Sequence, residues 1–533
     1  MGGRSSRVPL RNISSDVESK VGKLPLASRY HELPKRVQDD YEVDFSSVLG
    51  SGYSGDVHLA RATDGGGTQT FAVKHLPIKG VSQARWGQLE SEVKIFLCMD
   101  HPNVTRLVDV YRDDDDLHLV MEHMKGGELF DRVTELKKFS EMEAAGAVSQ
   151  ILLALSYIHG FGIAHRDLKL ENFLYDQEKS DHLKLIDFGF SHMWDTNTKM
   201  RATCGTLAYV APEVLRKSYT SQCDMWSVGV IAFILLAGSM PFYGSEATQM
   251  ENIVNGRYKF KPEKWNSVSK AARDFVQKLL QVNPEARLTA RKALEHVWIV
   301  RRYQLAKKEI DPSVVDALRQ FSKSSKFRRS CLKMMAWSLS NEERAKVRGY
   351  FTALDTQKTG TITLQELREC LVEKFNISDS ETQLIFQSMD ANRNEHIQYS
   401  DFLAAMVSTR LQVHDDLLRT AFRKFDVDRS GVITVDNLSA LVDSDGDEKS
   451  RDEDLRELLK EGDLLHDGQI SYAEFVSFIS GVPINCVTRF ESGSEVGTGS
   501  STVYPKIERS KELNCWSCFR YCFCSVCRTS PHG

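Results

Sequence analysis

Apolar and polar positions change rhythm several times along the chain, and each change marks a different kind of unit. Residues 1–40 are polar, rich in Ser and Arg and without sustained periodicity, which reads as a flexible arm. From Tyr41 apolar positions alternate around Gly50 to Gly55, and Phe71-Ala72-Val73-Lys74-His75-Leu76 follows, the pattern of strands. Further on, AAGAVSQILLALSYIHG at 144–160 carries apolar residues at helical spacing and ends in Gly. These stretches delimit a compact region over 41–299. The segment 300–340 mixes basic residues with Leu318, Phe321, Leu332, Met335 and Trp337, an amphipathic helix candidate. Residues 341–481 repeat a helix–loop–helix pattern four times. The remainder, 482–533, is Ser/Gly-rich and then Cys-rich, with no pattern for a packed fold.

Composition narrows the class. Of 533 residues, 41% are hydrophobic and 27% charged, enough apolar mass for several cores. The net charge of −4 argues for no polyanionic partner, so no nucleic acid is expected. Acidic residues dominate between Glu342 and Glu474, while 301–333 is basic, which fits a cation-binding module beside a segment it could hold. No apolar run is long enough to span a membrane, and the N-terminus carries no apolar signal region. Six of the 11 cysteines are scattered from Cys98 to Cys486, consistent with reduced thiols in a cytoplasmic protein.

Five motifs follow one another in the order that phosphoryl transfer from ATP requires. Gly50-Ser51-Gly52-Tyr53-Ser54-Gly55-Asp56-Val57 is a glycine loop whose backbone N–H groups could cover phosphates, with Val57 against adenine. Ala72-Val73-Lys74 places an ammonium for the α/β-phosphates on the next strand, with Glu92 as its expected ion-pair partner. In His165-Arg166-Asp167-Leu168-Lys169-Leu170-Glu171-Asn172, Asp167 is the expected acceptor of the substrate hydroxyl proton. Lys169 would neutralise the γ-phosphate and Asn172 would bind Mg²⁺. Asp187-Phe188-Gly189 supplies a second Mg²⁺ ligand in Asp187, and Ala211-Pro212-Glu213 closes the activation segment. Each motif alone is weak; five in order are specific.

On these motifs residues 41–299 resemble the eukaryotic protein kinases. The resemblance implies Met121 as gatekeeper and Glu122 to Met124 as the hinge that binds adenine, with Ala72 lining the nucleotide site. It implies Asp224 as the brace of the catalytic loop and Arg287 as the partner of Glu213. Lys169 and Gly205-Thr206 follow the serine/threonine pattern, while Leu170 departs from the usual proline. Glu128 and Glu171 match positions that take basic side chains of a substrate, so protein substrates with Ser or Thr near basic residues are expected. Contact with ribose for Glu128 and solvent for Glu171 is the plainer alternative.

An EF-hand loop needs oxygen ligands at positions 1, 3, 5, 7, 9 and 12 and glycine at 6. Loop 355–366 offers Asp355, Gln357, Thr359, Thr361 through its backbone, and Glu366, with Gly360 sixth. Loop 390–401 has Glu395 at the glycine position and a short Asp401 at the end. Loop 426–437 offers Asp426, Asp428, Ser430 and Val432, but Asn437 cannot clamp a cation with two oxygens. Loop 463–474 offers Asp463, Asp467, Gln469 and Glu474, with Leu465 at position 3. The expected Ca²⁺ order is first, fourth, third, second. Ile362, Ile397, Ile433 and Ile470 all sit at position 8, where paired loops form a short β-bridge. A structural domain with little calcium response remains the alternative.

The order of kinase, junction and EF-hands resembles the calcium-dependent protein kinases of plants and apicomplexan parasites over about residues 41–480. The resemblance implies a multidomain α+β chain, a bilobal protein kinase fold followed by an all-α paired EF-hand, calmodulin-like domain. ATP, Mg²⁺ and Ca²⁺ are the expected cofactors, and the chain is expected to be a monomer. In this family the junction blocks the substrate cleft until calcium-loaded lobes grip it, with Gln320 to Arg329 the pseudosubstrate-like piece here. A plain linker helix packed on the kinase is the alternative. At the ends, Gly2 before Ser6 fits N-myristoylation. Cys515, Cys518, Cys522, Cys524 and Cys527 among aromatics suit palmitoylation, or zinc binding. Acylation would bring a cytoplasmic protein to a membrane surface. Two other functions stay open, a constitutive kinase with vestigial EF-hands and a calcium-sensing scaffold.

Overall fold

The computed structural model describes residues 28–52, 55–63, 69–189, 191–193, 200, 205–304, 309–390, 393–407, 414–441 and 448–484. Gly2, the tail cysteines and the tip of the glycine loop at Tyr53-Ser54 lie outside the described residues.

The alternating segments fold as strands of one six-stranded sheet. Strands β1 (Tyr30–Glu32), β2 (Tyr41–Gly52), β3 (Gly55–Ala62), β4 (Thr70–Pro77), β5 (Leu107–Arg112) and β6 (Asp116–Glu122) stand in the order β1-β5-β6-β4-β3-β2. β1 runs parallel to β5 and the other neighbours are antiparallel. The helix Gln83–Cys98 follows β4, its first turn capped by Ser82, which accepts from Arg85 N. The remainder of the kinase unit is helical around the buried helices Glu141–Gly160 and Gln222–Ala237. Both lobes share one apolar core that runs from Leu76 to Ile299.

The arm expected over 1–40 is ordered into this fold from Ser28. Val110 N donates to the Arg29 carbonyl at 2.7 Å, and β1 adds an edge strand. Three residues give too short a run for period-2 alternation to be visible in sequence.

The junction forms two helices, Pro312–Lys323 and Lys326–Ser338, broken between Ser324 and Ser325. Asp311 caps the first, with Pro312 at its first position, and Ser325 caps the second. Trp337 at the end of the second helix lies over Arg29 and Arg106 of the kinase unit, but the rest of the apolar face does not pack on the kinase. Val314, Leu318, Phe321, Phe327, Leu332 and Met335 belong to a second core shared with EF-hand residues such as Phe386, Phe402, Phe422 and Phe475. Lys326–Ser338 lies against Tyr399–Val407, Asp415–Phe425, Glu448–Gly462 and Tyr472–Ser480, so both EF-hand lobes hold it.

The EF-hands pair as the isoleucines predict. Ile362 and Ile397 form a bridge with N···O of 3.0 and 2.9 Å, and Ile433 pairs with Ile470 in a two-stranded ribbon.

Candidate active site and calcium loops

β3 and β4 place Lys74 opposite Val57, and β4 and β6 place Ala72 beside Met121. Gly50, Gly52 and Gly55 lie where β2 turns into β3. Gly55 has φ +142°, and a Cβ there would meet the His75 carbonyl oxygen at 2.1 Å, so only glycine allows this approach. Lys74 Nζ donates to Glu92 Oε1 at 2.8 Å and to Asp187 Oδ1 at 3.1 Å. Burial would lower the ammonium's pKa, but the two carboxylates outweigh it and hold Lys74 above its ordinary value. Asp187 is held below the usual carboxylate range against burial by Lys74. Phe188 is buried between Phe96 and His165, with centroids at 5.2 and 5.6 Å, which fixes the Asp187 turn against the helix bearing Glu92.

The catalytic loop is held from below. Asp224 accepts from His165 N at 2.9 Å and Arg166 N at 2.8 Å, as the brace role requires. Asp167 Oδ1 accepts from Thr206 N and Oγ1 at 2.9 and 3.1 Å, and Lys169 Nζ stands 3.7 Å from Asp167 Oδ2. Asn172 donates its amide to the Asp167 carbonyl at 2.7 Å, which leaves its own oxygen for a metal. Arg287 grips Glu213 with both nitrogens, at 2.5 and 2.6 Å. Glu128 is raised by desolvation and by Asp131 and Glu171, an acidic corner beside the catalytic loop.

One hinge residue behaves differently from expectation. The Glu122 carboxylate is buried and faces away from the nucleotide side, bonded to Lys184 Nζ at 2.6 Å, Arg106 N at 2.7 Å and Arg344. Its N–H is taken by the Arg106 carbonyl at 3.2 Å, so only its carbonyl is left for adenine, and the side chain is a docking point. Met124 is buried beside it, and Met121 is half-buried against the core.

Arg344 belongs to the first EF-hand helix, Asn341–Leu354, and it is one of several contacts between the EF-hands and the kinase. Arg348 reaches Asp176 at 3.0 Å, and Ser400 N donates to Asp100 at 2.7 Å. Arg106 donates to the Ala336 carbonyl at 2.6 Å, and Ser156 Oγ donates to the Lys358 carbonyl at 2.7 Å. Sequence reasoning missed these residues, because an isolated Arg, Asp or Ser on a helix or loop carries no signal of a partner 170 or more residues away.

In the calcium loops the first aspartate folds the turn. Asp355 accepts from Thr359 N and Gly360 N, Asp426 from Ser430 N and Gly431 N, and Asp463 from Asp467 N and Gly468 N. The last residue separates the loops. Glu366 and Glu474 each cap position 9 and turn a second oxygen to the N–H at position 3, on Gln357 at 2.8 Å and Leu465 at 2.9 Å. Asn437 caps Thr434 and offers no second carboxylate oxygen. Asp401 caps Gln398, while its other oxygen takes Lys333 of the junction at 2.5 Å. Asp463, Asp467 and Glu474 bring their oxygens within 4.8 Å of one another, the one such acidic cluster among the described residues. In the first loop Asp355 is pushed up to about 6 by burial, and the Gln357 side chain is turned to Arg291 at 3.2 Å rather than into the loop. Asp428 accepts from Ser430 N, and Thr359 Oγ1 meets the Thr361 carbonyl at 3.1 Å. Ser430 Oγ reaches the Val432 carbonyl, and Gln469 N donates to Asp467.

The site defines a protein kinase joined to paired EF-hands, and comparison bears this out. Residues 43–299 match the protein kinase domain, and 344–407 and 415–480 match the EF-hand domain pair. The chain is 37% identical over 450 residues to calcium-dependent protein kinase 12 of Arabidopsis thaliana, covering 84% of this chain and 90% of that one. It is 34% identical over 452 residues to calcium-dependent protein kinase 5 of Plasmodium falciparum, with 84% and 79% covered. Calcium-dependent protein kinase 7 of Oryza sativa subsp. japonica is 36% identical over 440 residues, with 81% and 80% covered. The chain belongs to the calcium-dependent protein kinases.

Proposed function

We propose that the protein transfers the γ-phosphate of ATP to serine or threonine of protein substrates, and that calcium controls the transfer by deciding where the junction lies. The observation that carries this is the coexistence of an assembled Lys74–Glu92–Asp187 triad with a junction packed into the EF-hand core.

Lys74 is placed to hold the α/β-phosphates, fixed by Glu92. Asp167 accepts the proton of the attacking hydroxyl, its carboxylate oriented by Thr206, and Lys169 beside it meets the charge on the transferred group. Mg²⁺, when bound, neutralises the phosphate oxygens, and Asn172 and Asp187 are the donors that fit it. Glu128 and Glu171 favour acceptors near basic residues. Glu366 and Glu474 are the clamps of the two loops best suited to Ca²⁺, while loop 426–437 lacks a charged clamp and loop 390–401 already holds a lysine at its last position. Calcium opens an EF-hand pair and exposes an apolar groove, and the basic amphipathic junction is what that groove takes. Acylation at Gly2, with Arg4, Arg7 and the tail cysteines assisting, would place the enzyme at a membrane surface.

The test is phosphorylation of a basic serine peptide across a free-calcium titration that starts in chelator. A steep rise with calcium is expected. Equal activity throughout would leave a constitutive kinase, and inactivity at every calcium level in folded protein would leave a scaffold.

A further inference from the structure

Arg29, in the stretch expected to be a flexible arm, is 2% exposed and sits between three units. Its guanidinium donates to the Leu97 carbonyl at 2.9 Å and the Leu107 carbonyl at 3.2 Å. Leu97 lies in the last turn of Gln83–Cys98, the helix that carries Glu92, where carbonyls have no partner within the helix. A cation at that end also suits the helix dipole. The same guanidinium lies 4.0 Å over the ring of Trp337, and Arg106 lies 4.3 Å from that ring. Trp337 is in the last turn of the second junction helix. Around it, Ser28 Oγ meets Met334 Sδ at 3.6 Å, and Lys424 of the third EF-hand donates to the Ser28 carbonyl at 3.2 Å and to Asp109.

We propose that Arg29 is a positioning residue that couples the captured junction to the helix bearing Glu92, so that the N-terminal segment from Ser28 takes part in calcium activation. The proposal rests on the calcium-release reading above. Only when the EF-hands hold the junction as seen here does Trp337 reach Arg29, and the ring then completes the pocket that keeps the guanidinium on Leu97. Arg29 touches neither nucleotide nor substrate. It acts through the Leu97 carbonyl on the position of Glu92, and through Glu92 on Lys74. A guanidinium suits this place because its planar fork reaches two carbonyls while its face stacks on an indole; an ammonium can do only part of this.

The experiment uses the full chain as parent, Arg29→Leu, Trp337→Leu and the double variant, with Arg29→Lys alongside. Turnover and KM for ATP are measured on a basic serine peptide, in chelator and at saturating calcium. Each single leucine variant is expected to lose about tenfold in calcium-saturated turnover, corresponding to about 1.4 kcal/mol of lost coupling. KM for ATP should move far less, and the double variant should be no slower than the slower single. Arg29→Lys should fall between parent and Arg29→Leu. Should Arg29→Leu fail to fold, Arg29→Lys with and without Trp337→Leu carries the same cycle, the lysine costing activity only where Trp337 is present. Losses that multiply in the double variant, or Arg29 variants as fast as the parent, would overturn the coupling. A parent that ignores calcium would instead overturn the reading on which the coupling rests.

Discussion

Three EF-hand glycines offer a way to measure docking separately from calcium binding. Gly360, Gly431 and Gly468 hold the sixth position of their loops with φ of +81°, +85° and +85°. Alanine at any of them incurs the same backbone strain, about 1 kcal/mol. Their surroundings differ. A Cβ at Gly431 or Gly468 meets nothing within 4 Å, whereas one at Gly360 meets Tyr157 Cδ2 at 2.6 Å, His101 Cδ2 at 2.7 Å and Tyr157 Cβ at 3.0 Å. Tyr157 is fully buried in the kinase core and stacked on His101 at 5.0 Å, so neither ring can swing aside. Overpacking of this kind costs about 1–3 kcal/mol, and with two rigid rings in the way we take about 2.5. That penalty falls only on the docked arrangement and lowers its equilibrium constant roughly seventyfold. If two loops fill together, the calcium midpoint moves by about the square root of that factor, roughly eightfold. In a peptide-phosphorylation titration Gly360→Ala should therefore raise the calcium needed for half activity about eightfold beyond the shift seen in Gly468→Ala, whose loop also ends in a glutamate clamp. Equal shifts in the two variants would refute the reasoning, because strain alone would then account for both.

Lys333→Met removes the partner of Asp401, whose side chain is 9% exposed. Proton uptake by the carboxyl, already raised by burial, limits the loss to about 2 kcal/mol, so the calcium midpoint should rise about fivefold, and Lys333→Met with Asp401→Leu should recover most of it. Asp187→Asn should keep its melting temperature within a few degrees and lose about a thousandfold in turnover, read by phosphate transfer at saturating calcium. Glu474→Gln should remove one calcium from the stoichiometry counted by native mass spectrometry, and Asn437→Gln should remove none. His414 is held above its ordinary pKa by its hydrogen bond to Glu343 at 3.1 Å, against burial. A raised histidine stabilises the fold below its unfolded pKa of 6.5 and loses that contribution as pH rises through the folded value. The melting temperature in chelator should thus fall as pH rises above about 6.5, and His414→Gln should flatten the fall.

How much could be read in advance follows from where each interaction lives. The Lys74, Asp167, Asn172 and Asp187 geometry was legible, because phosphate chemistry demands those side chains at the ends of consecutive elements and the spacing is local. The EF-hand pairing was legible for a similar reason: position 8 must be β-branched to form the bridge, and Ile362, Ile397, Ile433 and Ile470 obey it. The junction's apolar stripe was visible, and both of its expected partners, an EF-hand groove and the kinase surface, were named, but sequence did not choose between them. A stripe of Leu318, Phe321, Leu332 and Met335 suits a kinase surface and an EF-hand groove equally, and only folding showed that it belongs to the second core. Glu122 illustrates the opposite failure. The hinge pattern pointed to adenine, but the pattern fixes the backbone alone, and the side chain is taken by Lys184 and Arg344.

Those last two residues show why the docking surface lies where it does. Glu122 ends β6 at the hinge, and Asp100 and Arg106 flank the loop between the Glu92 helix and β5. These are buried charges, and a buried carboxylate without a partner costs several kcal/mol. Here Arg344 answers Glu122, Ser400 N answers Asp100, and Ala336 with Trp337 answers Arg106, each from the EF-hand side or the junction. Undocking the EF-hands would expose these groups again to water and leave Lys184 as the one side-chain partner of Glu122 among the described residues. The surface is therefore polar enough to stand free and complementary enough to be covered, which is what a docking that must reverse requires.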